Sequence, residues 1–259
     1  MEDDRPELLF SHVDDSHPIN VWQYGDQRWL EFDDELIQTE ISLARADYLP
    51  ESFSRAMLAG VLFNPVPQRV LLAGAGGGST ARYFAHRFPE IKGEAVELSA
   101  VIIDIAKRFF ACPHTGNWSL ICGDIRQYVQ QTTHYYDLII LDIALGQKTP
   151  EWLLEPAFLY NCKQVLTTQG HLAINLIVDD DEDFLTSLQT IRHVFNRQTV
   201  CLTLTEHSNI LVYAFNAPVI YSHEQRMQRM PVLSGEWSVE FEQFYQKMIE
   251  DNPQGSGIL

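Results

Sequence analysis

The stretch Leu71-Leu72-Ala73-Gly74-Ala75-Gly76-Gly77-Gly78-Ser79-Thr80 places four glycines directly after an apolar run. Glycine accepts positive φ and lets another group come close to the backbone. Such a loop is open to a diphosphate, to a nucleotide phosphate, to a nucleoside with a sulfonium tail, or to no ligand at all. What flanks it has to decide.

From Arg69 onward, apolar runs of strand length alternate with amphipathic helical segments. The predicted strands are RVLLAGA (69–75), GEAVEL (93–98), WSLICGD (118–124), YYDLIILDI (135–143), GHLAINLIV (170–178), TVCLTLT (199–205) and NILVYAF (209–215). Between them lie predicted helices TARYFAHRF (80–88), AVIIDIAKRFF (100–110), IRQYVQQ (125–131), PAFLYNCKQVL (156–166) and DFLTSLQTIRHVF (183–195). Continuous apolar strands are buried on both faces, so a mainly parallel α/β sheet with helices on each side is expected. Only Glu206-His207-Ser208 separates the last two strands. A hairpin fits there, and it puts one antiparallel strand at the sheet edge.

Upstream, INVWQYGD and QRWLEFDD are rich in aromatic and β-branched residues and meet at the turn signal Gly25-Asp26. A small β region is expected there. ESFSRAMLAGVLF (51–63) has helical spacing and stops at NPVP, where proline cannot continue a helix. VEFEQFYQKMIE (239–250) reads as a last amphipathic helix. The expected division is a β region over 1–50, a nucleoside-binding domain over 51–220 and a helical tail over 221–259.

The chain carries 18 Lys and Arg against 35 Asp and Glu, a formal net charge of −17. That charge repels a nucleic-acid backbone, and no basic run offsets it. No apolar run approaches membrane-spanning length, and the acidic start MEDDRPELLF does not read as a signal peptide. Cys112, Cys122, Cys162 and Cys201 form no C-x-x-C pair and read as buried free thiols. A cytoplasmic location is expected from these features, with no nucleic-acid partner, no membrane and no metal site.

Ligands of open parallel sheets sit beyond the carboxyl ends of the strands. Four such ends carry something distinctive: the glycine loop, Glu97, Gly123-Asp124 and Asp142. The loop lacks the lysine of a phosphate loop. It begins the dinucleotide pattern G-x-G-x-x-G/A at Gly74 and Gly76, but Ser79 stands at the last position. A diphosphate gains nothing from several surrounding carboxylates. An uncharged nucleoside does, because Glu97 can accept both ribose hydroxyls and Asp124 the adenine amino group. S-adenosylmethionine or a relative fits better than NAD.

With RWLEFDDELIQTE, PQRVLLAGAGGGST, AVEL, GDI, LIILDIA, LYNCKQVLTTQG and GHLAINL in this order, the chain resembles the spermidine synthase family, in particular the spermidine-synthase-like proteins of the Rossmann methyltransferase superfamily. The resemblance implies a seven-stranded methyltransferase-type sheet and a group transfer from an S-adenosylmethionine-type donor. It implies that Gln38, Glu97, Asp124 and Asp142 line the nucleoside site, Glu97 on the ribose and Asp124 with the Ile125 backbone on adenine. Gly74, Gly76, Gly77, Gly78 and Leu98 complete the expected donor-binding set. A homodimer is a further family-level expectation.

Two positions depart from the family. Aminopropyltransferases usually carry an aspartate where Gly77 stands, and a D-x-x-D motif that here runs Asp142-Ile143-Ala144-Leu145. Those acids pair with the ammonium of decarboxylated S-adenosylmethionine and with a cationic amine acceptor, and an unpaired buried charge is costly. Gly77 is expected instead to leave room for the carboxylate of intact S-adenosylmethionine. The leading expectation is therefore methyl transfer to an unknown, possibly cationic acceptor. Asp142 is the candidate catalytic residue, aided by Gln147 and Lys148. Polyamine aminopropyl transfer is one alternative, and a nucleoside-binding protein without catalysis is another.

Overall fold

A computed structural model describes residues 5–14, 17–32, 37–146, 148–204 and 209–259. In chain order the elements are β1 (Glu7–Asp14), β2 (His17–Tyr24), β3 (Gln27–Phe32), β4 (Ile37–Ser42), α1 (Ser52–Ala56), β5 (Arg69–Ala73), α2 (Ser79–Arg87), β6 (Lys92–Glu97), α3 (Ala100–Phe109), β7 (Trp118–Cys122) and α4 (Ile125–Gln131). There follow β8 (Tyr136–Leu141), α5 (Pro156–Gln164), β9 (Leu166–Leu176), α6 (Asp181–Val194), β10 (Thr199–Thr203), β11 (Ile210–Phe215), α7 (His223–Trp237) and α8 (Phe241–Asp251). Two compact units divide the chain, Met1–Pro50 with Ala75–Gly123 and Glu51–Gly74 with Asp124–Leu259.

β1 to β4 form an antiparallel meander in sequence order. Its Ile19, Val21, Leu30 and Ile41 pack on Ile102, Ile105 and Phe110 of the α3 region in one apolar cluster. The expected hairpin is present, with Tyr24 opposite Gln27 and Gly25 at φ 59°. The second sheet has seven strands in the order β10-β11-β9-β8-β5-β6-β7. β5 pairs with β8, β6 with β7 and β8 with β9 in parallel. β11 runs antiparallel to both β9 and β10, so the reversed strand lies one place in from the edge and β10 forms the edge. The fold is thus the expected α/β sheet with antiparallel end strands and a separate N-terminal β region. The EHS connection lies outside the described residues.

Three segments differ from their predicted form. ESFSRAMLAGVLF splits into α1 and a 3-10 turn at Ala59–Leu62. Tyr213 Oη donates to Ala56 O at 2.5 Å where the helix gives way, and Gly60 lies so close to the His171 ring that any Cβ would collide with it. His171 is a core residue stacked on Phe215, and burial pushes its pKa down to about 4. β9 begins at Leu166, several residues earlier than its apolar run. α7 lies within the expected helical tail, but Pro231 and Gly235 interrupt its apolar pattern, so the sequence gives it no periodic signal of its own. Its capping box at Ser222 and Gln225, and the buried row Arg226, Met230, Leu233 and Trp237, hold it as a helix.

The C-terminal helix is built into its unit. Asn252, just after α8, accepts from Cys201 N at 2.9 Å and donates to Cys201 O at 2.7 Å. Asp251 accepts from Thr203 N at 2.7 Å. These bonds cover the β10 edge, which would otherwise present free backbone groups. Cys112, Cys162 and Cys201 are buried, whereas Cys122 is exposed at the end of β7, against expectation.

Candidate functional site

In the first unit the glycine loop leads into α2. Gly76 and Gly78 have φ of 48° and 81°, which side-chain-bearing residues rarely adopt. Gly78 N donates to Ala75 O at 2.7 Å and closes the turn. Gly78 is also the N-cap of α2, so no side chain caps the first amides of that helix. Such amides attract an anionic group. Glu97, at the end of β6, grips the loop: its Oε2 accepts from Ala75 N at 3.1 Å and its Oε1 from Ser99 N at 2.9 Å. Each carboxylate oxygen keeps a lone pair that can take a ribose hydroxyl.

The room expected above Gly77 is filled. A Cβ on Gly77 would run into Thr39 Cγ2, and Thr39 Oγ1 lies 3.1 Å from Ser79 Oγ. Thr39 faces inward because β4 alternates; its neighbour Gln38 is exposed. A Cβ on Gly78 would likewise meet Cys112 Sγ. Burial pushes the Cys112 thiol up to about 11 and makes it a packing group. Arg82 is fully buried behind the loop, donating to Ala46 O at 3.2 Å and Phe110 O at 2.8 Å, and burial lowers its pKa to about 10. Leu98 is 73% exposed.

In the second unit Gly74, at φ 85°, abuts the end of β8; a Cβ there would lie 2.6 Å from Asp142 O. Asn175, buried in β9, donates through Nδ2 to Asp142 Oδ1 at 3.0 Å and accepts from Asn209 Nδ2 at 3.0 Å. Protein crowded around the Asp142 carboxyl pushes its pKa above the usual carboxylate range, and the Asn175 hydrogen bond opposes that shift. Asp142 nevertheless keeps an exposed surface, so water tempers the upward shift. It is a carboxylate that a second molecule can reach.

Asp124 is the N-cap of α4, and its Oδ1 accepts from Arg126 N at 2.8 Å. The Arg126 guanidinium also grips this carboxylate, Nε at 2.9 Å and Nη2 at 2.6 Å from Oδ2, and holds its pKa below the usual range. Ile125 is buried in the first turn of α4. After β8, Leu145 and Lys148 form an isolated bridge, Leu145 is 66% exposed, and Lys148 Nζ lies 2.5 Å from Asp179. Gln147 lies outside the described residues. Asp180, from the acid run 179–183, caps α6. Among the described residues no group of three or more His, Cys, Asp or Glu could hold a metal, and no helix is long and apolar enough to cross a membrane.

Thr39, Arg126 and Asn175 were not singled out in the sequence. Asn175 had a signal, being an amide inside the apolar strand HLAINL. Thr39 and Arg126 had none, since their roles come from contacts.

Residues 70–170 match a methyltransferase-domain family model. The chain is 28% identical over 243 residues to a polyamine aminopropyltransferase of Chromobacterium violaceum, covering 93% of each protein. The structure of a probable spermidine synthase from Corynebacterium glutamicum superposes with a TM-score of 0.71 at 18% identity, over 91% of this chain and 87% of that one. Human methyltransferase-like protein 13 in complex with SAH superposes with a TM-score of 0.65 at 22% identity, over 73% and 93%. The fold and these similarities together fit the spermidine-synthase-like Rossmann family.

Proposed function

We propose that the protein transfers a group from an S-adenosylmethionine-type donor to an amine, and that the group is aminopropyl. The carrying observation is Asp142, a reachable carboxylate of raised proton affinity held by Asn175. An amine attacks only as its free base, so a positioned carboxylate can take the proton as the new carbon–nitrogen bond forms. The rest of the catalysis is positioning of the amine in line with the carbon on sulfur. Glu97 holds the ribose and Asp124 the base. The similarity to a polyamine aminopropyltransferase across nearly the whole chain favours aminopropyl over methyl as the transferred group.

One feature favours methyl transfer from the intact donor as a second reading. Positions 77 and 145 lack the carboxylates that would pair with the ammonium of a decarboxylated donor, which has no carboxylate of its own, and with the ammonium groups of a diamine. The two readings separate in one assay, in which the protein meets putrescine with either donor and products are read by mass spectrometry. Spermidine from the decarboxylated donor supports aminopropyl transfer. A methylated product from the intact donor alone moves the conclusion to the second reading. No product from either, with methylthioadenosine still bound, identifies a binding protein without turnover.

A further inference from the structure

Arg126 lies between two groups with a shared preference. On one side its guanidinium donates to both oxygens of Asp124, at 2.6 to 3.0 Å. On the other its Cζ stands 5.0 Å from the centroid of the Trp152 ring. The ring is held in place: it meets the Phe158 ring nearly perpendicularly, at 84° with centroids 5.2 Å apart, and Leu153, in the same 3-10 turn, is buried. Phe158 is itself buried in α5. A carboxylate beside a fixed aromatic face suits a flat group that both stacks and donates N–H. Guanidinium is one such group. An aminopurine is another, since its π-face stacks on aromatic rings and its amino group donates.

We propose that Arg126 is a stand-in for the nucleobase: the base of an adenine nucleoside takes the place of the guanidinium, stacks on Trp152 and donates its amino group to Asp124, while Arg126 swings out to solvent. This rests on the reading that Asp124 holds the base. Displacement is inexpensive, because the Arg126 side chain is 51% exposed and an exposed ion pair contributes little. Arg126 thereby lowers nucleoside affinity without touching the nucleoside. It sets how much donor is needed to open the base subsite, and it selects for bases with an amino group that can replace its own N–H.

The probe is methylthioadenosine, which is uncharged, titrated calorimetrically into the whole protein. Arg126→Ala is expected to bind it roughly two- to fivefold more tightly than the unmodified protein, the scale of an exposed ion pair. Raising salt should tighten binding to the unmodified protein by weakening the ion pair, and leave Arg126→Ala unmoved. Trp152→Ala should weaken binding roughly five- to a hundredfold, the scale of base–aromatic stacking, and Trp152→Phe should restore most of it. Equal or weaker binding by Arg126→Ala overturns the stand-in. If Asp124→Ala still loses affinity in that case, the nucleoside reading survives without it. No binding of methylthioadenosine by any of these proteins overturns both.

Discussion

Glu97 and Asp142 both close parallel strands with a carboxylate, yet their surroundings differ. Glu97 accepts two backbone amides, Ala75 N and Ser99 N, and is thereby immobilised against the glycine loop. Asp142 is held by the side-chain amide of Asn175, is crowded by protein and remains reachable. A carboxylate fixed by backbone is suited to recognition, because its geometry is prepaid by the fold. A carboxylate with a raised proton affinity and a face open to a second molecule is suited to moving a proton. The difference lies in what surrounds each acid, and each prediction below attacks it at one point.

The largest effect is expected at Asp142. Asp142→Asn keeps the shape and removes the proton acceptor. Turnover should fall roughly 10²- to 10⁴-fold, the usual contribution of a general base. Methylthioadenosine affinity should stay within about twofold, on the scale of a weak exposed contact. Affinity falling in parallel with turnover would make Asp142 a recognition group like Glu97 and erase the contrast. The pH profile carries the sign. Asp142 accepts a proton only when ionised, so kcat/KM should fall as pH drops through its raised pKa. That acid limb should lie above the range of an ordinary aspartate.

The glycine loop should respond next, through stability. Gly77→Asp must displace Thr39, and overpacking of this kind costs roughly 1–3 kcal/mol. Gly78→Ala adds the cost of a left-handed residue at φ 81° to a collision with Cys112, for a total of at least about 2 kcal/mol. Urea unfolding measures both. Thr39→Ala removes the methyl group that blocks position 77, so the double variant with Gly77→Asp should regain part of the loss. If Gly77→Asp is as stable as the unmodified protein, the loop is mobile and the picture of a rigid recognition half is wrong.

Glu97→Ala should weaken methylthioadenosine binding by about 1.5–3 kcal/mol, the scale of hydrogen bonds to a charged acceptor. Calorimetry decides this, and an unchanged affinity removes Glu97 from the ribose.

Much of this was legible in the chain. The alternation of apolar strands with amphipathic helices announces the α/β sheet, and the four polar or glycine-rich strand ends mark where ligands of such a sheet are expected. These signals are local, so a sequence carries them. Thr39 against Gly77 is not local: residues 38 apart in the chain meet because β4 brings the threonine to the loop. The sequence suggested open space at Gly77, and a methyl group fills it. Arg126 on Asp124 is close in sequence, but its stacking on Trp152 depends on a turn after β8 that no periodicity marks. α7, inside the expected helical tail, lacks a periodic signal for a different reason. Proline and glycine carry a propensity penalty, and burial of Met230, Leu233 and Trp237 outweighs it.

The smallest effect is expected at Asn175, and it separates positioning from packing. Asn175 donates to Asp142, and that hydrogen bond favours the ionised acid and lowers its pKa. Asn175→Ala removes the donor, so the Asp142 pKa should rise further. The acid limb of kcat/KM should then move to higher pH, while the plateau rate well above it changes little. The same substitution leaves Asn209 Nδ2 without its acceptor in β9 and should lower stability by about 1 kcal/mol. Thermal unfolding and the pH profile therefore report separately. A lowered Tm with an unmoved limb would make Asn175 a packing residue only. A moved limb would show that Asn175 restrains a proton affinity that the surrounding protein raises, a side-chain control that Glu97, held by backbone amides, does not have.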